Sequence, residues 1–282
     1  ADSVQDPQTG ARIAIEDSWN DVTGSIRVSR RIGTRDDMRI YAGASQGFRA
    51  PNLSDLTRFD SARSNEIETP VSGLDAERFV TYEIGLKSVH TDLDIQMSAY
   101  YTSINDLIIR TPTGRIIDSE IEVTKQNSAG GYVKGLEFQA RYRVADNWDL
   151  YGNLTWMDGV VDTFPTSDTA VVREPKDRMM PFTVWLGALW QPADSDYWAE
   201  GVIGVSERQD TLSSRDQADT ERIPPGGTPG FTTLTVRGGW QFSDQLGLSV
   251  SLSNIFNEDY RIHGSGLNEP GRNVVVSIFW SP

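Results

Sequence analysis

Six side chains are candidates for holding a small ligand: Arg49, Phe59, Arg63, Tyr260, Arg261 and His263. Guanidinium groups grip anionic chelates through paired hydrogen bonds, and aromatic rings stack on flat ligands. Each also has an ordinary alternative role in loop packing. Catalytic and metal chemistry have less to stand on. The two histidines, His90 and His263, are far apart in the chain, and no cluster has the spacing of a zinc site. Glu66 with Glu68 and Asp216 with Asp219 are carboxylate pairs, but they fall in polar connecting segments, where a solvated acidic surface is the usual outcome. Gly264-Ser265-Gly266 is loop glycine rather than a nucleophile elbow, and no phosphate-cradling loop is present. Neither an enzyme nor a resident metal or cofactor is expected.

The elements that must position the six residues are strands. Trp148-Asp-Leu-Tyr-Gly-Asn-Leu-Thr-Trp156 alternates without a break: Trp148, Leu150, Gly152, Leu154 and Trp156 share one face, and Asp149, Tyr151, Asn153 and Thr155 the other. A period of two is an extended strand with one apolar and one wet side. The pattern recurs over residues 21–32, 37–49, 79–89, 92–108, 132–144, 182–190, 197–206, 231–242, from 246 and 273–280, giving eleven strands. Aromatic residues gather near the strand ends. Connections alternate between short turns and long polar stretches at 50–75, 110–130, 160–180, 207–229 and 257–271. Outer-membrane barrels are built in this way, with short periplasmic turns and long extracellular loops. The expected fold is therefore all-β: an antiparallel transmembrane β-barrel segment with Leu150, Leu154, Leu234, Val236, Leu246, Leu248, Val250, Val274, Val276 and Ile278 facing lipid. Asp149, Asn153, Gln139, Ser249 and Ser251 would face the lumen. His90 then falls at the short-turn end and His263 at the opposite one.

Composition agrees. No run of about 18 apolar residues offers a membrane helix. The formal net charge of -14 argues against nucleic acid as a partner, since phosphate binding needs a basic surface. Cysteine is absent, which suits many compartments. A soluble β-rich binding domain remains the alternative from another class, and a passive porin-like channel the alternative within membranes. Detergent-free solubility around a closed apolar core would mark the first, and bulk conductance the second.

Two segments carry more than periodicity. One is Tyr41-Ala-Gly-Ala-Ser-Gln-Gly-Phe-Arg-Ala-Pro-Asn-Leu-Ser-Asp-Leu56. The other is Leu252-Ser-Asn-Ile-Phe-Asn-Glu-Asp-Tyr260, followed by Asn268-Glu-Pro-Gly-Arg-Asn273 and an apolar terminal strand. With Tyr82-Glu-Ile-Gly-Leu-Lys87 and Gly135-Leu-Glu-Phe138, they resemble the C-terminal barrel half of TonB-dependent outer-membrane receptors, from about Asp21 onward. The resemblance implies a location in the bacterial outer membrane and energy-coupled uptake of a scarce ligand such as a ferric siderophore. It also implies three partners: outer-membrane lipid, a small iron-chelate-type ligand, and TonB, engaged through an N-terminal plug segment absent from these residues. Family barrels have 22 strands, so eleven strands imply residues 1–282 to be half of one, with 1–20 as a loop. The strand at 21–32 should then be an edge, the apolar phase of residues 12–17 being broken by Glu16 and Asp17. Heme receptors of the family carry a histidine between the Phe-Arg-Ala-Pro box and an Asn-Pro-x-Leu box, and no Asn-Pro-x-Leu occurs here. No histidine lies between Phe48 and Val89, which weakens heme and leaves siderophore, cobalamin and carbohydrate ligands open.

Overall fold

A computed structural model describes residues 2–5, 12–15, 17–33, 37–63, 65–165 and 170–281; for 2–5, 12–15 and 60–63 the backbone alone is described. Two short strands, β1 (Asp2–Gln5) and β2 (Arg12–Ile15), form a hairpin of their own, separate from the main sheet. The wall begins with β3 (Ser25–Ile32) and β4 (Met38–Arg49). Helix α1 (Leu53–Thr57) and strands β5 (Asp60–Arg63) and β6 (Glu66–Thr69) fill the connection to β7 (Glu77–Val89). Then come β8 (Leu93–Ile117), β9 (Glu120–Ala145) and β10 (Trp148–Thr163), the last with the short β11 (Val172–Pro175) on its outer end. The chain continues through β12 (Thr183–Trp190), β13 (Tyr197–Ser206), helix α2 (Ser214–Ala218), β14 (Phe231–Ser243), β15 (Leu246–Ser253) and β16 (Asn273–Trp280).

Eleven of these strands form one antiparallel meander in chain order, from β3 through β4, β7, β8, β9, β10, β12, β13, β14 and β15 to β16. Among the described residues β3 pairs with β4 alone and β16 with β15 alone, so the sheet is open at both edges.

Register separates the two faces. Leu150 stands opposite Tyr142 and Ala188, and Leu154 opposite Phe138 and Val184. Val250 stands opposite Val276, and Leu248 opposite both Trp240 and Ile278. In the other phase Asn153 faces Gln139, Thr155 faces Glu137, and Ser249 faces Ser277. The apolar face is uncovered: Ile84, Leu186, Val276 and Ile278 are all more than half exposed. A soluble sheet would bury this face beneath a second layer. The apolar core cluster instead consists of Leu56, Leu74 and Ile108 with Trp19 and Val71, under the long connections.

Two aromatic rows bound the apolar band. At the short-turn end Trp148 lies opposite Trp190, Tyr197 opposite Trp240 and Leu246 opposite Trp280. At the other end Tyr82 lies opposite Tyr101, which stacks on Tyr132 at 5.3 Å. Lys134 carries its ammonium over Tyr132 and Trp156, 5.5 and 5.9 Å from the ring centres, as a cation does when it reaches for an interface. From Trp148 to Trp156 is about 26 Å of strand at ~3.3 Å per residue, within the length that a tilted strand of about 9–11 residues needs to cross the lipid band.

The polar face has its own packing rule, which alternation alone does not show. A Cβ at Gly85, Gly135 or Gly187 would collide with the ring of Tyr41, Tyr100 or Tyr151 on the neighbouring strand, so each tyrosine lies down over a glycine. Two of the flattened rings present their hydroxyls to carboxylates. Tyr41 donates to Glu83 at 2.8 Å while Arg27 clamps the same carboxylate at 3.1 Å. Tyr151 and Arg237 hold Glu200 in the same way.

One expected connection is not a loop. The stretch 110–130 continues the wall outward as a β8–β9 hairpin closed at Asp118 and Ser119, both with positive φ (48° and 72°). Paired positive φ suits the right-handed twist of a tight hairpin. Register shifts between Ile104 and Leu107, Leu107 and Ile108, and Pro112 and Ile116 break the alternation, which hides the hairpin from periodicity. The expected turn residues 34–36 lie outside the described residues.

Candidate ligand site at the mouth of the wall

The long-connection end of the wall holds a cavity of about 670 Å³. Four of the five long stretches contribute to it: Arg58 and Glu68 from the first, Arg110 and Lys125 from the hairpin, Glu174 to Asp177 from the third, and Ser213 to Arg215 from the fourth. Its cations are Arg49, Arg58, Arg110, Lys125, Lys176 and Arg215. Its carboxylates are Glu68, Glu77, Glu174 and Asp177, and just behind the lining Glu66 pairs with Arg110 and Asp55 with Arg49, so six cations meet six carboxylates.

The hairpin builds the basic wall. Arg110 stands directly opposite Lys125 in the β8–β9 ladder. Like charges facing each other weaken a sheet. They are tolerated here because β6 packs parallel to β9, with Glu66 opposite Ile121 and Glu68 opposite Val123. Glu66 then lies 3.2 Å from Arg110, and Glu68 lies 3.5 Å from Lys125 and 3.8 Å from Arg58. Both glutamates are only 2% exposed. Beyond them Arg115 clamps Glu122 with two hydrogen bonds at 2.5 and 2.7 Å. Burial alone would raise the Glu122 pKa, but the bonds from Thr113, Arg115 and Thr69 outweigh it and hold the carboxyl below its ordinary value.

Of the six residues expected to touch a ligand, Arg49 lines the cavity, with much of its donor capacity engaged internally. Its fork grips Glu77 at 2.5 and 2.7 Å and its third arm takes Asp55 at 2.8 Å. Glu77 in turn accepts from the Ile108 amide at 3.0 Å. Pro51 follows the end of the β4 ladder, and Asn52 starts α1 at once through a reciprocal capping box with Asp55. Arg49 thus ties the strand end to the helix behind it. Phe59 is half-buried between α1 and β5, and the side chain of Arg63 lies outside the described residues.

Tyr260, Arg261 and His263 belong to a separate joint, where the last connection meets two others. Tyr260 packs on Phe231 with ring centres 4.3 Å apart, and Arg261 donates to Asn268 at 2.8 Å. His263 is 7% exposed, its Nδ1 2.9 Å from the Thr228 hydroxyl. Burial lowers its pKa below the ordinary imidazole value; Asp216 opposes the shift and Arg178 adds to it. Arg178 pairs with Asp219 and lies 3.6 Å from Asp216, and Arg222 reaches Asp219 at 2.9 Å. His90, the other histidine, pairs with Asp37 at 2.8 Å at the short-turn end.

Sequence reasoning missed Arg58, Arg110 and Lys125. The one signal it offered was a cluster of basic residues among acids in polar stretches, which reads equally well as solvated loop.

Comparison with known proteins fits this architecture. Residues 3–257 match the family described as TonB dependent receptor-like, beta-barrel. The chain is 25% identical over 245 residues to the pesticin receptor of Yersinia pestis, covering 81% of this chain and 30% of that protein. It is 24% identical over 224 residues to the vitamin B12 transporter BtuB of Photobacterium profundum, covering 79% and 32%. The chain therefore spans about a third of the length of the curated relatives it matches. Among solved structures, the ferric enterobactin receptor of Pseudomonas aeruginosa superposes with a TM-score of 0.69 at 17% identity, over 92% of this chain and 40% of that one. The copper transporter OprC gives 0.68 at 19% identity, over 92% and 39%. The chain belongs to the TonB-dependent receptor β-barrel family.

Proposed function

We propose that this chain forms part of the barrel wall and the extracellular mouth of an outer-membrane receptor that takes up a scarce anionic ligand, a ferric chelate being the best fit. Energy would reach it from TonB through a plug segment carried elsewhere in the receptor. The observation that carries the reading is the gathering of six cations around one cavity at the mouth of an otherwise acidic chain. Clustered cations draw anions in, and forked guanidiniums orient carboxylate or catecholate oxygens. The uncovered apolar face between two aromatic rows supports the membrane setting, because lipid can cover what water would not tolerate. The relatives named for enterobactin, vitamin B12 and pesticin show how widely ligands vary in this family, so the chelate is argued from charge alone.

The test is binding of ferric chelates of catecholate, hydroxamate and citrate type to the purified receptor, by intrinsic fluorescence or calorimetry. Replacing Arg58 and Lys125 together with alanine, with Glu68→Gln added so that no buried charge is stranded, is expected to weaken the preferred chelate by about 10- to 100-fold, as loss of two charge-assisted contacts should. Unchanged affinity in the triply substituted receptor would remove the cavity from the account.

A further inference from the structure

The joint around His263 connects three stretches that are distant in sequence. Arg178 comes from the connection after β11, Asp216 and Asp219 from α2 and its C-terminal cap, and Thr228 from the approach to β14. His263 comes from the last connection. Arg178 donates its backbone amide to Asp216 at 3.1 Å, so the first two stretches are bonded directly. The last connection packs against both: a Cβ at Gly264 would come within 3.2 Å of the Arg178 guanidinium, and one at Gly266 within 3.3 Å of Arg222. At the centre, three buried polar atoms have no hydrogen-bond partner: His263 Nε2, Asp216 Oδ1 and Arg178 Nη1. Asp216 is 1% exposed.

We propose that this joint is an acid-sensitive latch, in which protonation of His263 frees the last connection and α2 from each other and opens the mouth cavity. Its geometry supports this. Neutral His263 packs against the Arg178 side with one nitrogen engaged by Thr228. A proton on Nε2 would add a buried positive charge beside Arg178; Asp216 offsets part of it, but Asp219 is held by Arg178 and Arg222, and the burial of the ring outweighs what Asp216 returns. Burial of such a charge is costly unless the joint opens to water. The sign follows from linkage. The closed form holds the imidazole below its ordinary value, so the open form binds more protons, and closure is full above about pH 6.5 and lost as pH falls below it. The consequence for the ligand rests on the proposed function: Ser213, Ser214 and Arg215 wall the cavity and run straight into Asp216.

The experiment is hydrogen exchange by mass spectrometry on the receptor in detergent, at about pH 7.5 and about pH 5.5 with intrinsic rates corrected. Wild type is expected to lose protection about tenfold in peptides covering 174–180, 213–223 and 257–266 at the lower pH, with the β12–β13 wall unchanged. His263→Asn, which keeps a side-chain polar group but cannot charge, should show no such loss. Should that variant fail to fold, a second measurement on wild type replaces it. The His263 ring ¹³Cε1 signal, assigned by its loss in His263→Gln, should titrate together with the loss of protection. Unchanged protection in wild type, or an acid response that persists in His263→Asn, overturns the latch. If the latch opens as described but affinity for the ferric chelate does not fall with it, the cavity reading fails and the latch stands.

Discussion

Arginine at Leu186 is expected to cost about 2–4 kcal/mol of folding stability in a bilayer, the penalty for a cation on the lipid face at mid-depth. Leu186 is the right position because it lies opposite Gly152, halfway between Trp148 and Trp156, on the apolar face and more than half exposed. In water an exposed leucine tolerates arginine at almost no cost, so the same substitution separates the two settings. Asn153→Arg, one position along the partner strand and on the polar face, is expected to cost less than about 1 kcal/mol, because that side chain reaches water. Urea titration of the receptor in phospholipid vesicles would read both. Equal effects at the two positions would contradict the assignment of faces.

Arg49→Ala is expected to be costly for a different reason. Glu77 is 3% exposed and takes both arms of the Arg49 fork. Removing one partner of a buried pair leaves an uncompensated charge, usually about 3–5 kcal/mol. Arg49 itself is 40% exposed, and Glu77 keeps its bond from Ile108, so about 2–3 kcal/mol is the expected loss here. Adding Glu77→Gln to Arg49→Ala should recover most of it, since the stranded charge is then gone. Thermal unfolding of the four proteins completes the cycle. A double variant no more stable than Arg49→Ala would show that the fork does not act through Glu77. Lysine at position 49 is no rescue, because it cannot make the two-armed contact.

The wall was legible because a barrel strand must alternate. Residues 197–206 and 273–280 could be bounded from apolar phase alone, and their turns follow from what interrupts that phase. The tyrosines lying over glycines were present in the sequence but not readable, since the pairing of Tyr41 with Gly85 exists only once register is set. The outer hairpin was hidden by its bulges and by Pro112 and Gly114, which read as breakers. The basic wall of the cavity went unseen with it, because Arg110 and Lys125 become neighbours through that hairpin. Glu66 and Glu68 looked like a solvated acidic pair, and the parallel pairing of β6 with β9 is what buries them. Tyr260 and His263 drew notice by residue type, but their surroundings depend on three loops meeting, which no local pattern encodes.

Uptake itself tests the central claim most directly. Cells making the intact receptor, and lacking other routes, would be given ⁵⁵Fe bound to the chelate that the purified protein prefers. Accumulation is predicted to require both TonB and the proton-motive force, to saturate with the chelate, and to fall with Arg58, Lys125 and Glu68 replaced together. Accumulation that persists without TonB, does not saturate and ignores those substitutions would mark a passive pore and contradict the account.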